Sequence, residues 1–248
     1  MAYKFVRHGQ PRPCITINPE PPASVMTVPI VGVPRGGTTM VAAVVHALGV
    51  DIGPEKDLAA FTFEDQAMNR SAPGVQLSYI KRRNTERAVW GWKDPAALHS
   101  IRPLFFSLRK PRLIVVFRDM LASIESEMRF DVANDIMPRR DFAQLAEMTF
   151  NWWKGNMEFI EQTTFPTLLV SYENALRMPD IFVHGLSDFL GITPSHEMLQ
   201  EASARINPHG GYLQIDQQGK PMVRVDPLPA DIVAPIVATP EPPPEPPV

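Results

Sequence analysis

Residues 28–41 read VPIVGVPRGGTTMV. A short apolar run enters a glycine pair and two threonines, and the stretch TTMVAAVVHALG has the composition of an apolar helix closed by Gly49. Gly32, Gly36 and Gly37 permit close backbone approach and positive φ, while Thr38 and Thr39 place hydroxyls where the helix begins. Amide groups exposed at a helix start cradle anions, and Arg35 adds a cation inside the turn. A strand-turn-helix junction with threonine caps is the plainer alternative, and the arginine among the glycines favours phosphate. The anion is not expected to be a nucleoside triphosphate. Gly32 and Gly37 match the G-x-x-x-x-G spacing of a nucleotide P-loop, but Thr38 stands where that loop needs a lysine. RLIVVF runs into Arg118 and LLVSY into Glu173, so neither strand ends in a magnesium-binding aspartate.

Outward from this turn, apolar strands alternate with helical patterns. VMTVPIVGV, RLIVVF and FPTLLVSY read as buried strands, and RAVWGW as a shorter one. FEDQAMNR, VQLSYIKRR, ASIESEMRF, DFAQLAEMTFNWWKGNMEFIEQ and IFVHGLSDFLG read as helices, and PAALHSIRPLFFSLRK as one kinked or split by Pro103. Strands without polar alternation are buried on both faces. The expected fold is therefore α/β, three-layer and P-loop-like, with a central mostly parallel sheet. Its expected span is 27–225, after a proline-rich leader over 1–26 and before a proline-rich tail over 229–248 that should not pack. The tail is expected to act as a polyproline spacer or a partner-docking segment.

The totals agree with one core. The chain has 248 residues, 44% of them apolar, and a formal charge of -3. That balance argues against a polybasic nucleic-acid coat. Cys14 is the one cysteine, which removes intramolecular disulfides and thiolate clusters, and it reads as incidental. No run reaches 18 apolar residues and the first 20 lack a signal-peptide layout, so the expected location is cytoplasmic, with no membrane span.

The stretch VPIVGVPRGGTTM resembles the 5′-phosphosulfate loop of sulfotransferases that use 3′-phosphoadenosine 5′-phosphosulfate (PAPS), whose form is G-x-P-R/K-S/G-G-T-T/S. Gly32, Pro34, Arg35, Gly36, Gly37, Thr38 and Thr39 match it in order. FRDMLASIES resembles the family's 3′-phosphate motif, an arginine at a strand end with a serine eight residues on, here Arg118 and Ser126. Met120 replaces a frequent proline, which alters the helix start rather than the ligands. WGWKDP (90–95) and YENALRMPDIFVHGLSDFLGI (172–192) are weaker echoes of segments in bacterial members.

The resemblance implies transfer of a sulfuryl group from PAPS to an acceptor alcohol on a carbohydrate, lipid or small molecule, leaving adenosine 3′,5′-bisphosphate (PAP). A carbohydrate or small metabolite is favoured as acceptor. Such a transfer needs a held leaving phosphate, neutralised charge and a base on the acceptor hydroxyl. The 32–39 loop with Arg35 would hold the phosphosulfate, Arg118 and Ser126 the 3′-phosphate, and Lys93 would stabilise the leaving group, its plainer reading being a salt bridge to Asp94 or Glu64. FTFEDQAMN resembles a bacterial "FED" element and nominates Glu64 as base. Glu55, twenty residues after Arg35, is the second candidate and Asp65 a third, with a helix N-cap as the plainer role for either Asp65 or Glu64. Pro95 stands where cytosolic members carry a histidine, and His99 lies too far along. Ten cations between 81 and 118 face only Glu86 and Asp94, an excess able to attract an anionic nucleotide. SARINPHGGYL, with Arg205, is either a lid on the nucleotide or a plain loop. No metal is expected, since the histidines show no ligand spacing. A P-loop nucleotide kinase and a non-catalytic scaffold that recruits partners through the tail are the alternatives.

Overall fold

The computed structural model describes residues 11–53, 63–69, 72–95, 101–134, 136–206, 214–215 and 221–222. Five strands build one sheet: β1 (Cys14–Ile17), β2 (Met26–Gly32), β3 (Val89–Lys93), β4 (Leu113–Phe117) and β5 (Thr167–Ser171). Their order is β1-β5-β4-β2-β3. β2 runs parallel to β3 and β4, β4 runs parallel to β5, and β1 alone is antiparallel, on β5.

Helices cover both faces. α1 (Thr38–Ala47) follows the glycine turn, α2 (Gln66–Asn69) and α3 (Pro73–Glu86) precede β3, and a 3-10 helix at Arg102–Ser107 precedes β4. α4 (Met120–Ala133) and α5 (Phe142–Gln162) connect β4 to β5. α6 (Tyr172–Arg177), α7 (Pro179–Leu190) and α8 (His196–Ala204) follow β5. Adjacent strand residues feed opposite layers. Val28, Ile30, Ile114 and Val116 pack with Val41, Val44 and Phe182 of α1 and α7. Val31, Leu113 and Val115 pack with Ile80, Leu104, Phe159 and Ile160 on the other side. Burial on both faces is why these strands show no polar alternation. Trp90 and Trp92 are core residues, with rings stacked 5.7 Å apart.

Three features differ from the sequence pattern or extend it. Cys14–Ile17, within the stretch read as a leader, pairs with β5. Prolines flank this segment but none lies inside it, so its amides remain available to the ladder. α6 and α8 complete the face that carries α1. Pro103 falls in the first turn of the 3-10 helix, where its missing N–H costs nothing, and residues 96–100 of the expected helix lie outside the described residues. A second compact unit begins at Gly211, and within it Gln214–Ile215 pairs antiparallel with Pro221–Met222. No described helix is long and apolar enough to cross a membrane.

Candidate active site

β2 lies between β3 and β4, so the chain leaves the middle of the sheet in opposite directions on either side of it. In parallel sheets such a switch point opens a crevice at the carboxyl ends of the strands, where ligands bind. The glycine turn leaves β2 at that edge. Gly36 N–H donates to Val33 O at 2.9 Å, Arg35 adopts φ 59°, and Gly37 adopts φ 89° as the residue before α1, with no side-chain cap. Gly32 is required by closeness, because a Cβ there would sit 2.7 Å from Val116 O on β4.

Arg118 follows β4 directly and reaches the same turn. Its Nη1 donates to Arg35 O at 2.8 Å, and its guanidinium lies 5.0 Å over the Tyr172 ring. Its Nε is buried without a hydrogen-bond partner. Among the described residues no carboxylate pairs with Arg118. A cation built into a sheet edge without an anionic partner is an anion site in waiting. Ser126 lies two turns along α4, where its Oγ accepts from Arg35 Nε at 3.3 Å. Arg35 also lies 4.8 Å over Phe130, one further turn on. The side chain expected over the 5′ end of the nucleotide therefore extends onto the helix of the second motif, and the two motifs are joined through it.

On the other side of β2, Lys93 ends β3. Its Nζ donates to Glu64 Oε1 at 2.8 Å and to Thr39 Oγ1 at 3.1 Å. Glu64 forms a parallel bridge to Lys93, which fixes the approach through the backbone. The lysine side chain is only 3% exposed, while that of Glu64 is 32% exposed. Burial pushes the Lys93 ammonium below its ordinary value, and the Glu64 carboxylate opposes that shift without cancelling it. The ion pair with Glu64 is present, and the same contact puts the carboxylate beside the loop.

Other candidates separate cleanly. Asp65 is buried, accepts from Tyr79 OH, and accepts from Ala67 N–H at 3.0 Å, so it caps the start of α2. Glu55 and His99 lie outside the described residues. Arg205, just past α8, pairs with Glu201 at 2.8 Å on the solvent side, and no hydrogen bond or ion pair among the described residues joins it to the turn. The cation excess also divides. Arg87, Arg109, Lys110 and Arg112 lie just before β3 and β4, at the amino edge of the sheet, while Lys93 and Arg118 mark the carboxyl edge. Arg87 is neutralised by Asp51. Among the described residues, no cluster of three or more His, Cys, Asp or Glu is placed to hold a metal.

Two site residues were not singled out in the sequence. Tyr172 opens α6 and fills the space that Gly37 leaves, since a Cβ on Gly37 would come 2.1 Å from its Cδ2. Its signal was the YE pair that begins one of the weaker echoes. Phe130 was legible as the residue four after Ser126 on one helix face.

Comparison with known proteins speaks to the family and the fold. The family model described as Sulfotransferase domain matches residues 27–207, well over half of the chain. No curated protein matches the sequence. Among solved structures, the chain is similar to mouse sulfotransferase SULT7A1 complexed with PAP, at TM-score 0.51 and 12% identity over 75% of this chain and 65% of that one. It is also similar to the sulfotransferase domain of the Synechococcus PCC 7002 olefin synthase, at TM-score 0.48 and 15% identity over 75% and 79%. Sulfotransferase STF1 from Mycobacterium tuberculosis H37Rv matches at TM-score 0.48 and 14% identity over 73% and 71%. At such identities the mouse structure speaks for the fold alone. The matched domain, with the five-stranded mostly parallel sheet that carries it, identifies the chain as a member of the sulfotransferase-domain family, an enzyme of PAPS-dependent sulfuryl transfer.

Proposed function

We propose that this site takes PAPS as its donor and moves the sulfuryl group to the hydroxyl of a carbohydrate or small metabolite. PAPS supplies a sulfuryl group on a good leaving phosphate, so the protein's task is grip, charge neutralisation and proton removal. The amides at the start of α1, with Thr38 and Thr39, hold the phosphosulfate end. Arg118 and Ser126 hold the 3′-phosphate. Arg35, which spans the two, neutralises charge between them.

Lys93 and Glu64 divide the remaining work. Lys93 reaches Thr39 on the loop and is placed to stabilise charge on the leaving oxygen. Glu64 takes the proton from the acceptor hydroxyl as its oxygen bonds to sulfur and the sulfur–phosphate oxygen bond breaks. Lys93 donates both to the Glu64 carboxylate and to the loop hydroxyl, so one ammonium links the two halves of the reaction.

The observation that carries this reading is Arg118, aimed into the glycine turn with no carboxylate against it among the described residues. Titration calorimetry with PAP and with ATP plus magnesium tests it. Preference for PAP, lost in Arg118→Ala, is expected. Equal or tighter binding of ATP–magnesium, or an Arg118→Ala chain that keeps the preference, would overturn it. A screen of extracts with labelled donor then identifies the acceptor class.

A further inference from the structure

α4 carries Ser126 and Phe130, yet little apolar packing holds it. Its buried side chains are Ser123, Ile124, Glu127 and Asp131, and only one of these is hydrocarbon. Leu121, in its first turn, is 64% exposed. Two carboxylates buried side by side on a helix repel each other and lose solvation unless a cation meets them.

Arg140 is that cation. It arrives from the segment between α4 and α5, next to the Asp141 cap that starts α5. Its Nε donates to Asp131 Oδ2 at 2.8 Å, its Nη2 donates to Asp131 Oδ1 and to Glu127 Oε1 at 2.9 Å, and its Nη1 meets Met148 Sδ at 3.4 Å. One planar fork thus engages two successive turns of α4 and one turn of α5. The carboxylates are 12% and 3% exposed, so water screens the contact little. Two ladders run along α4, each spaced by four residues. Ser126 and Phe130 face Arg35, while Glu127 and Asp131 face Arg140. Each residue of the first ladder precedes one of the second, so the depth and rotation of the helix at Arg140 set where the Ser126 hydroxyl stands.

We infer that Arg140 is a positioning residue for the 3′-phosphate, acting through Glu127 and Asp131 on the placement of Ser126. The inference rests on the assignment of the 3′-phosphate to Arg118 and Ser126. It adds a residue that touches no substrate and governs selectivity between donor-type nucleotides and those lacking the 3′-phosphate.

The test is calorimetry of PAP against adenosine 5′-phosphate on the full chain, with thermal melting alongside. Arg140→Ala is expected to weaken PAP by about tenfold or more, the worth of a misplaced hydrogen bond to a charged group. Adenosine 5′-phosphate should bind as in wild type. Arg140→Lys keeps the charge without the fork and should fall between the two. If Arg140→Ala does not fold, Arg140→Lys and Glu127→Gln carry the test, each with a lowered PAP to adenosine 5′-phosphate ratio. A ratio unchanged in the variants, or equal weakening of both nucleotides, overturns the inference alone. A wild-type chain that binds the two nucleotides equally overturns the 3′-phosphate assignment and this inference with it.

Discussion

Replacing Gly37 by alanine tests the architecture of the site at its narrowest point. Two costs follow from the geometry. Gly37 sits at φ 89°, ψ 10°, a left-handed conformation that costs an L-residue about 1–2 kcal/mol. The new Cβ would stand 2.1 Å, 2.5 Å and 2.9 Å from Tyr172 Cδ2, Cε2 and Cγ, so the ring must move or the turn must open. Overpacking of that kind costs about 1–3 kcal/mol. Together they predict a loss of about 2–5 kcal/mol. At about 2–4 °C per kcal/mol for a chain of this size, the melting temperature should fall by at least about 4 °C. Tyr172 also lies under Arg118, so the displacement should weaken PAP binding as well. In a Tyr172→Ala background the clash is gone, and Gly37→Ala should cost only the conformational part, about 1–2 kcal/mol. Gly74→Ala is the control. It lies in the first turn of α3 with no atom within 4 Å of an added carbon, and it should be neutral or slightly stabilising. Calorimetric melting and PAP titration of the four variants decide the matter. Wild-type melting and wild-type PAP affinity in Gly37→Ala would refute the reasoning.

Two further outcomes follow from charge and burial. Lys93→Met should lower turnover by about 100- to 1,000-fold, the usual cost of removing a group that meets developing charge. If the ammonium is the working form, activity is full below its pKa and is lost as pH rises through it, and burial brings that alkaline limb below the 10.5 of a solvated lysine. Lys93→Arg does not titrate there and should abolish the limb, whereas a limb that persists unchanged would assign it to another group. Burial, helped by the Asp188 charge and opposed by Arg12, pushes the Cys14 thiol up to about 11, so it should react slowly with a disulfide reagent at neutral pH and quickly once the chain is unfolded. Rapid labelling of the native chain would count against that environment.

The legible parts of the site were those written in one stretch of sequence. VPIVGVPRGGTTM carries both the apolar run of a buried strand and the residues of the turn that leaves it, and RLIVVF carries both β4 and the position of Arg118 at its end. The eight-residue step to Ser126 needed only the pitch of one helix. The meeting of Glu64 with Lys93 is different in kind. The sequence offered Glu64 only as one of two possible salt-bridge partners for Lys93, because the bridge that joins them spans 29 residues and depends on which segment runs beside the end of β3. The same limit explains the cation excess. Along the sequence Arg109, Arg112 and Arg118 are close, yet a five-residue strand separates the first two from the third and delivers them to opposite edges. β1 escaped notice because its four residues lie between prolines that dominate the composition. The position of Tyr172 required knowing that β5 and β2 flank β4, which no local pattern states.

That strand order has a mechanical consequence. The chain leaves β5, β4 and β2 at the same edge in neighbouring positions, and the residue that follows each strand or its turn touches the next exit. Tyr172, after β5, fills the space beside Gly37 and lies under Arg118. Arg118, after β4, holds the Arg35 carbonyl in the turn after β2. Arg35 returns to Ser126 on the helix that follows Arg118. The contacts close into a circuit, so no member can shift without moving two others. A circuit of this kind makes single substitutions non-additive: once Tyr172 or Arg118 is removed, a second change in the set should cost less than it does alone. It also accounts for a site held in place although, among the described residues, no carboxylate meets Arg118. The geometry is fixed by packing and by backbone carbonyls, which leaves the charge of Arg118 unspent for an anion.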